Sequence, residues 1–412
     1  MARANILFIT RNVPYPTMAG SSQRTANLIN ALSQTGDVSL FVIGPPERKP
    51  FLESVGYRVA ATAESTAQNQ SKMGWVLRQL FPNIGDNLWR AWAGVKVDFT
   101  PDPGLSEALI QVLKREHFDL VVGRYLIPTA QSGILELKHI PLIIDVDDVD
   151  SKAVTGKIRS PATGMILRIM LKFRLAEVQR REKELLGRAT RLWFSNPDDL
   201  SISLNTNADV IPNIPYEIPS RVDLKHSQPD SKTILLVGSF NHRVNLEGVD
   251  LFLGQAWENI RQVNPDVRFR IIGSHLPDAF RRKWMAIPNV DVIGFAESLR
   301  PHYEDAAFSI VPLMDGAGTK IKVLESLAYL RTCLVTTHSI TGFESLLCDR
   351  DSVRIANGFS ELPNIISELL SQPMMRHLLE DRGRDIIEKH FTRETLRKDV
   401  RKSLQHLLGG TY

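Results

Sequence analysis

Two successive rounds of the same alternation constrain this chain more than any other feature. Strand-like runs at residues 5–10, 38–43, 120–123, 142–146, 192–195 and 209–211 are separated mostly by stretches of helical spacing, such as Leu28, Ile29 and Leu32. Such alternation predicts a parallel sheet covered by helices on both faces. Residues 213–230 break the pattern. They are polar, contain Pro215, Pro219 and Pro229, show neither periodicity, and read as an interdomain linker. Beyond them the alternation restarts, with strands expected at 233–237, 268–272, 290–293, 309–311 and 333–336 and helices near 246–261, 278–285, 299–305 and 321–330. The expected architecture is therefore α/β, with two Rossmann-like, doubly wound domains at 1–212 and 231–385. A charged helical tail at 386–412 is expected to pack back on the first. A chain of 412 residues suits this division, because single cores stop growing near about 250–300 residues.

Composition removes several classes. Apolar runs such as 141–144 and 165–167 are broken by charge well short of the roughly 18 residues a spanning helix needs. Residues 1–20 lack the basic, apolar and small-residue order of a secretory signal, so the protein is expected to be cytoplasmic. Cys333 and Cys348 are too few for a disulfide framework and are expected to be core thiols. The net charge of +4 does not demand a nucleic-acid partner, and no aromatic and basic interleaving accompanies it. Its distribution is uneven: residues 151–191 hold eleven Lys/Arg against three acids.

In open α/β sheets ligands bind outside the carboxyl ends of the strands. At one such end stands Val311-Pro-Leu-Met-Asp-Gly-Ala-Gly-Thr-Lys-Ile-Lys-Val-Leu-Glu325, a strand running through a Gly-rich turn into a helix. Gly316 and Gly318 allow close backbone approach, and the amides near Thr319 and Lys320 open a helix, where donors and dipole favour an anion. Val323, Leu324, Leu327 and Ala328 form the apolar face, with Lys322 and Glu325 off it. Glu325 lies about 9 Å along the axis from Thr319, roughly the span from a pyrophosphate to ribose hydroxyls, which a carboxylate accepts well. The same residues also suit a capped amphipathic helix with a surface Lys–Glu pair.

With these motifs in view, the chain resembles the retaining glycosyltransferases of family 4, the group 1 glycosyl transferases, whose GT-B fold sets two Rossmann-like domains facing across a cleft. The likeness is carried by Pro14-Tyr-Pro with Gly20 and Arg24, Ile211-Pro-Asn213, Val237-Gly238-Ser-Phe, Ile272-Gly-Ser, Val292-Ile-Gly294-Phe295 and Gly316 to Glu325. It implies transfer of a sugar from a nucleotide diphosphate sugar to a hydroxyl of a glycan or lipid-linked acceptor, with retention, in polysaccharide or cell-envelope synthesis. By that likeness Glu325 holds the ribose, Gly294 and Phe295 border the base, and Gly20 lies under the diphosphate. No cofactor is implied, and no metal requirement. Two departures stand out. The first glutamate of the family's E-x7-E falls on Ala317, and the usual Arg and Lys after the first strand of the second domain are replaced by Ser239-Phe-Asn-His-Arg243-Val-Asn. Arg243, Lys320 and Lys322 are the candidates to meet charge on the departing phosphate. Another enzyme on this fold, such as a nucleotide-sugar epimerase, or a catalytically silent nucleotide-binding scaffold, remains as an alternative.

In the first half, Asp145-Val-Asp147-Asp148-Val-Asp150 stands at a strand end. Asp147 or Asp148 could orient an acceptor hydroxyl or act as base, or the loop could cap the next helix; the repeated Asp-x-Asp also fits a divalent-metal pattern of the other major glycosyltransferase fold. Arg11, Arg24 and Arg124 are acceptor-side candidates, Arg11 and Arg124 being equally readable as surface ion-pair partners. The basic stretch 151–191 contains Met165-Ile-Leu-Arg-Ile-Met-Leu-Lys-Phe, and residues 73–95 hold three tryptophans. Either could contact an anionic membrane peripherally, or form a core helix with a solvated basic face.

Overall fold

The computed structural model describes residues 3–16, 20–65, 97–159, 163–203, 207–316, 319–405 and 407. Two compact units divide the chain. The first comprises Met1–Thr17, Arg24–Ile211 and Arg397–Tyr412; the second comprises Met18–Gln23 and Pro212–Leu396.

In the first unit, β1 (Ala4–Thr10), β2 (Gly36–Ile43), β3 (Val59–Ala63), β4 (Leu120–Arg124), β5 (Leu142–Asp145), β6 (Arg191–Phe194) and β7 (Asn207–Val210) form a parallel sheet in the order β3-β2-β1-β4-β5-β6-β7. The central strands carry runs such as Ile6-Leu7-Phe8-Ile9 and Leu120-Val121-Val122 because both faces are covered, and all of these side chains are buried. Each buried Leu, Ile or Phe contributes about 1.5–3 kcal/mol. Strand β3, Val-Ala-Ala-Thr-Ala, is an edge strand of small residues and carries too little apolar signal to be expected from sequence.

The second unit repeats the plan with β8 (Thr233–Val237), β9 (Arg268–Ile272), β10 (Val290–Gly294), β11 (Phe308–Val311), β12 (Cys333–Thr336) and β13 (Arg354–Ala356), in the order β10-β9-β8-β11-β12-β13. The helix expected at 246–261 is two helices, Arg243–Gln255 and Trp257–Val263. The three-residue edge strand β13 had no sequence signal. Cys333 is buried, but Cys348 is exposed, which corrects the reading of both as core thiols.

Residues 213–230 are packed into the second unit by guanidinium groups. Buried Arg376 donates to Ser227 Oγ at 3.2 Å and to the carbonyls of Gln228 and Pro229 at 2.9 and 3.2 Å; Arg384 donates to the Pro219 carbonyl at 2.7 Å, and Arg331 to that of Lys225 at 2.8 Å. Side chains satisfy this backbone in place of a neighbouring strand, so the segment is ordered without periodicity. At the other end, Trp193 Nε1 donates to Ser403 Oγ at 2.8 Å, and that hydroxyl donates to Asp209 at 2.5 Å, tying the helix Arg393–Leu404 to β6 and β7.

The carboxyl edge of the first sheet is closed by a buried ion network. Arg24 donates to both carboxylate oxygens of Asp145, with Nε at 3.2 and 3.1 Å, and to the Ile211 carbonyl at 2.9 Å. Arg124 donates to Asp145 at 2.8 Å, to Asp147 at 2.7 Å and to the Tyr125 hydroxyl at 3.0 Å. Burial opposes charge on both guanidiniums, yet Asp145 and Asp147 outweigh it at Arg24, and Tyr125 together with the same carboxylates does so at Arg124, raising both pKa values. Tyr125 and Asp147 are held at φ 65° and 47°, a region non-glycine residues seldom enter. This placement corrects the acceptor-side reading of Arg24 and Arg124 and the base or metal reading of Asp147: each charge is already met inside the protein. Asp148 is half-buried beside them. Glu182, from the helix Met165–Leu186, accepts from the amides of Asp150 and Ser151 at 2.8 and 3.4 Å, so the loop does cap a helix, through a partner supplied from elsewhere.

Removing one member of a buried ion pair strands the other and costs about 3–5 kcal/mol. Arg124→Ala should lower the urea unfolding midpoint by that equivalent, and Arg124→Met combined with Asp147→Asn should recover part of the loss. In the second unit a Cβ on Gly273 would lie 1.8 Å from the Gly238 carbonyl oxygen. Gly273→Ala should therefore cost at least about 1–3 kcal/mol by overpacking, read by the same measurement.

Candidate functional site

In the second sheet β8 and β11 are neighbours at which strand order reverses, so the loops after them leave toward opposite faces and flank a crevice. Gly238 follows β8 directly, and the loop 312–320 follows β11.

Lys322, in the first turn of the helix Ile321–Ala328, reaches across this crevice. Its Nζ lies 3.1 Å from where a Cβ on Gly238 would sit, and donates to Asn245 Oδ1 at 2.6 Å. Asn245 in turn donates to the Ser239 carbonyl at 2.5 Å. One amide side chain thus joins the two loops and fixes the ammonium over the end of β8. Burial, then repulsion from Lys320, pulls the Lys322 ammonium down to about 8, with Glu325 acting in the other direction. The same cation lowers the pKa of His242, after burial.

Glu325 is only 8% exposed, so the surface Lys–Glu pair is not what forms. Its carboxyl accepts from Gln23 Nε2 at 3.4 Å, a residue counted with this unit. Burial pushes it up to about 7; Gln23 and Lys322 oppose that rise and Glu217 adds to it. Glu217 itself accepts from the Tyr329 hydroxyl at 2.8 Å.

The Gly-rich turn is shaped by several contacts. Gly316 has φ 118° and donates its amide to Asp315 at 2.7 Å. Its carbonyl accepts from Lys320 Nζ at 3.1 Å, with His338 Nε2 at 2.9 Å from the same oxygen. Thr319 Oγ1 accepts from Asn213 at 2.8 Å. Ala317 and Gly318 lie outside the described residues. Arg243 pairs with Glu247 and stands 3.8 Å from Asp315, so two carboxylates already face the charge expected at a diphosphate. Lys322 has no ion pair among the described residues, so unlike Arg243 its charge is not already met by a carboxylate.

The remaining expected residues fall around this centre. Gly294 ends β10 at φ 85° and its carbonyl accepts from Gly273 at 2.8 Å, while Phe295 beside it is 58% exposed. A Cβ on Gly20 would meet Ile321 at 3.3 Å. Asn245, Gln23, Glu217 and His338 were not singled out from sequence. His338 follows β12 by two residues, so attention to strand ends could have found it; the others are defined by contacts between distant segments.

In the first unit, Arg11 follows β1 and donates to Gln131 at 2.7 Å. The helix Met165–Leu186 exposes Met165, Ile166, Ile169 and Phe173, and residues 73–95 lie outside the described residues. Among the described residues no helix is long and apolar enough to cross a membrane, and no group of three or more His, Cys, Asp or Glu could hold a metal ion.

Comparison with known proteins gives a family match over part of the chain and a fold match over nearly all of it. Residues 231–372 match the family described as Glycosyl transferases group 1. No curated protein matches in sequence. Among solved structures, sucrose-phosphate synthase from Thermosynechococcus elongatus is similar at a TM-score of 0.69 and 16% identity, over 99% of this chain and 100% of that one. HepE from Anabaena, solved with UDP-glucose, has a TM-score of 0.65 at 12% identity, covering 98% and 100%. TarM from S. aureus, in a complex that includes UDP, has a TM-score of 0.66 at 9% identity, covering 98% and 100%. Residues 231–372 thus carry the match to the group 1 glycosyl transferases, and the chain as a whole has the two-domain α/β GT-B fold of these solved structures.

Proposed function

We propose that this chain is a retaining glycosyltransferase of family 4 that binds a nucleotide diphosphate sugar in its second unit and passes the sugar to a hydroxyl of a glycan or lipid-linked acceptor, in polysaccharide or cell-envelope synthesis. One observation carries the reading: a half-buried ammonium, Lys322, fixed over Gly238 at the strand-order reversal, with a buried carboxylate, Glu325, one turn further along the same helix. The presence of UDP or UDP-glucose in the HepE and TarM structures supports a nucleotide sugar as the ligand.

The chemistry follows from the two groups. Charge develops on the diphosphate as the glycosidic bond breaks, and a preorganised cation in a dry crevice stabilises that state more than the ground state. Lys322, with Lys320 behind it, fills this role in the proposal without a divalent metal. Glu325 accepts the two vicinal ribose hydroxyls, and Gly294 and Phe295 border the base. Asn245 is a positioning residue for Lys322. The exposed Met165, Ile166, Ile169 and Phe173, beside Lys172, favour a peripheral contact with an anionic membrane near a lipid-linked acceptor.

Thermal-shift measurements with UDP, GDP and ADP should show stabilisation by at least one, about 2.7 kcal/mol at 100 times its dissociation constant; no shift with any of them sinks the donor assignment. Lys322→Ala should lower kcat about 10²–10³-fold with a smaller change in nucleotide affinity. Hydroxyl donors favour the charged form of Glu325, so its pKa should fall from about 7 on binding and a proton should be released. Nucleotide affinity should accordingly rise with pH up to about 7 and fall again above about 8 as the Lys322 ammonium is lost, and calorimetry near pH 6.5 in buffers of different ionisation enthalpy should detect the proton. Without added nucleotide the raised pKa works against stability: the folded state holds the extra proton, so stability falls as pH rises from about 4.5 to 7. Glu325→Gln should flatten the rise in affinity and the fall in stability.

A further inference from the structure

The reversal in strand order that makes a crevice in the second sheet also occurs in the first, between β1 and β4. Arg11 leaves the end of β1 there, and Gln131, to which it donates at 2.7 Å, ends the helix that follows β4. Arg48, reached four residues beyond Gly44 after β2, folds back over the same edge. Its Nη1 lies 3.2 Å from the Arg11 carbonyl and 3.4 Å from that of Ile43. The fold-back needs a glycine, because a Cβ on Gly44 would stand 2.5 Å from that nitrogen.

Two guanidiniums are therefore held side by side at a ligand-binding edge. Unlike Arg24 and Arg124, neither has a carboxylate within ion-pair distance among the described residues. Their repulsion is real: burial and then Arg48 lower the pKa of Arg11. An anion placed against both would turn a repulsive pair into two attractive ones, and the planar forks retain donors suited to phosphate or carboxylate oxygens. Directly beside them Phe51, one turn along the helix Arg48–Ser54, meets Tyr15 with ring centroids 5.9 Å apart, and both rings are more than 40% exposed. Flat, exposed aromatic faces are suited to the C–H face of a sugar ring.

We infer that Arg11 and Arg48, with Tyr15 and Phe51, form a subsite for an anionic saccharide, one bearing a phosphate or a carboxylate. The inference rests on the glycosyltransferase reading and names its acceptor class: a charged sugar whose anionic group lies on the arginine pair while a ring packs on the aromatic pair.

The test uses saturation-transfer NMR on the full chain with glucose 6-phosphate, glucuronate and glucose as probes, and vesicles of phosphatidylglycerol as a separate arm. Wild type should bind at least one of the two charged sugars about tenfold or more tightly than glucose. Arg11→Gln with Arg48→Gln should abolish that preference, and Phe51→Ala should weaken all three sugars. An unchanged thermal midpoint verifies folding of each variant. Equal binding of charged and neutral sugars, or a preference that survives the double substitution, overturns the subsite. Vesicle binding lost in the double variant, with no preference among the sugars, would assign the arginines to a lipid headgroup and also overturn it. Nucleotide-induced thermal shift, measured on the same samples, keeps the two readings apart: it should persist in the double variant, and its absence from wild type would remove the donor reading instead.

Discussion

Parallel strand pairing is the constraint on which the rest depends. Every strand in a parallel sheet must be re-entered from the same end, so all carboxyl ends, and most helix starts, collect on one edge. That edge gathers backbone N–H groups and the positive ends of helices. Where strand order reverses, at β1/β4 and at β8/β11, the departing loops leave room for side chains or a ligand. The two units meet this situation in opposite ways. At its carboxyl edge the first unit sets Asp145 and Asp147 against Arg24 and Arg124, and the site is filled by its own charges. The second places Lys322 at the reversal, with no ion pair of its own among the described residues, against a glycine that offers no bulk. Similar topology therefore yields a crevice braced by its own ion pairs behind Arg11 and Arg48 in the first unit, and one whose cation lacks such a partner in the second.

What could be read from sequence follows the same physics. Central strands buried on both faces must be continuous apolar runs, so β1, β4, β5, β8, β9 and β11 were legible, as was the order of two α/β units. Edge strands lack that requirement on their outer side, and β3 and β13 left no trace. The stretch 213–230 looked like a linker because its backbone is satisfied by Arg376, Arg384 and Arg331, whose role no local pattern announces.

At the site, the Gly-rich turn and the spacing from Thr319 to Glu325 were legible because they are local. The burial of Glu325 was not, since it depends on Gln23, 302 residues away in sequence. The pairing of Arg24 was hidden for the same reason: an arginine looks alike in sequence whether it faces a ligand or a carboxylate, and its partner Asp145 lies 121 residues on.

The direction of each perturbation separates the two kinds of buried charge. Arg24 and Arg124 are driven toward their charged forms, because what surrounds them repays desolvation in full. Lys322 and Glu325 are driven toward neutrality, Lys322 to about 8 and Glu325 to about 7, although each lies near the other. Their mutual attraction is too weak to offset burial, so the fold disfavours the charged form of each. A protein selected for stability alone would replace them with apolar residues at little loss. Groups left in that condition gain most from a ligand that brings the missing partners, a diphosphate for the ammonium and vicinal hydroxyls for the carboxylate. The same reasoning separates Arg11 and Arg48 from the braced pair behind them, since they too stand together without the counter-charge that would settle them.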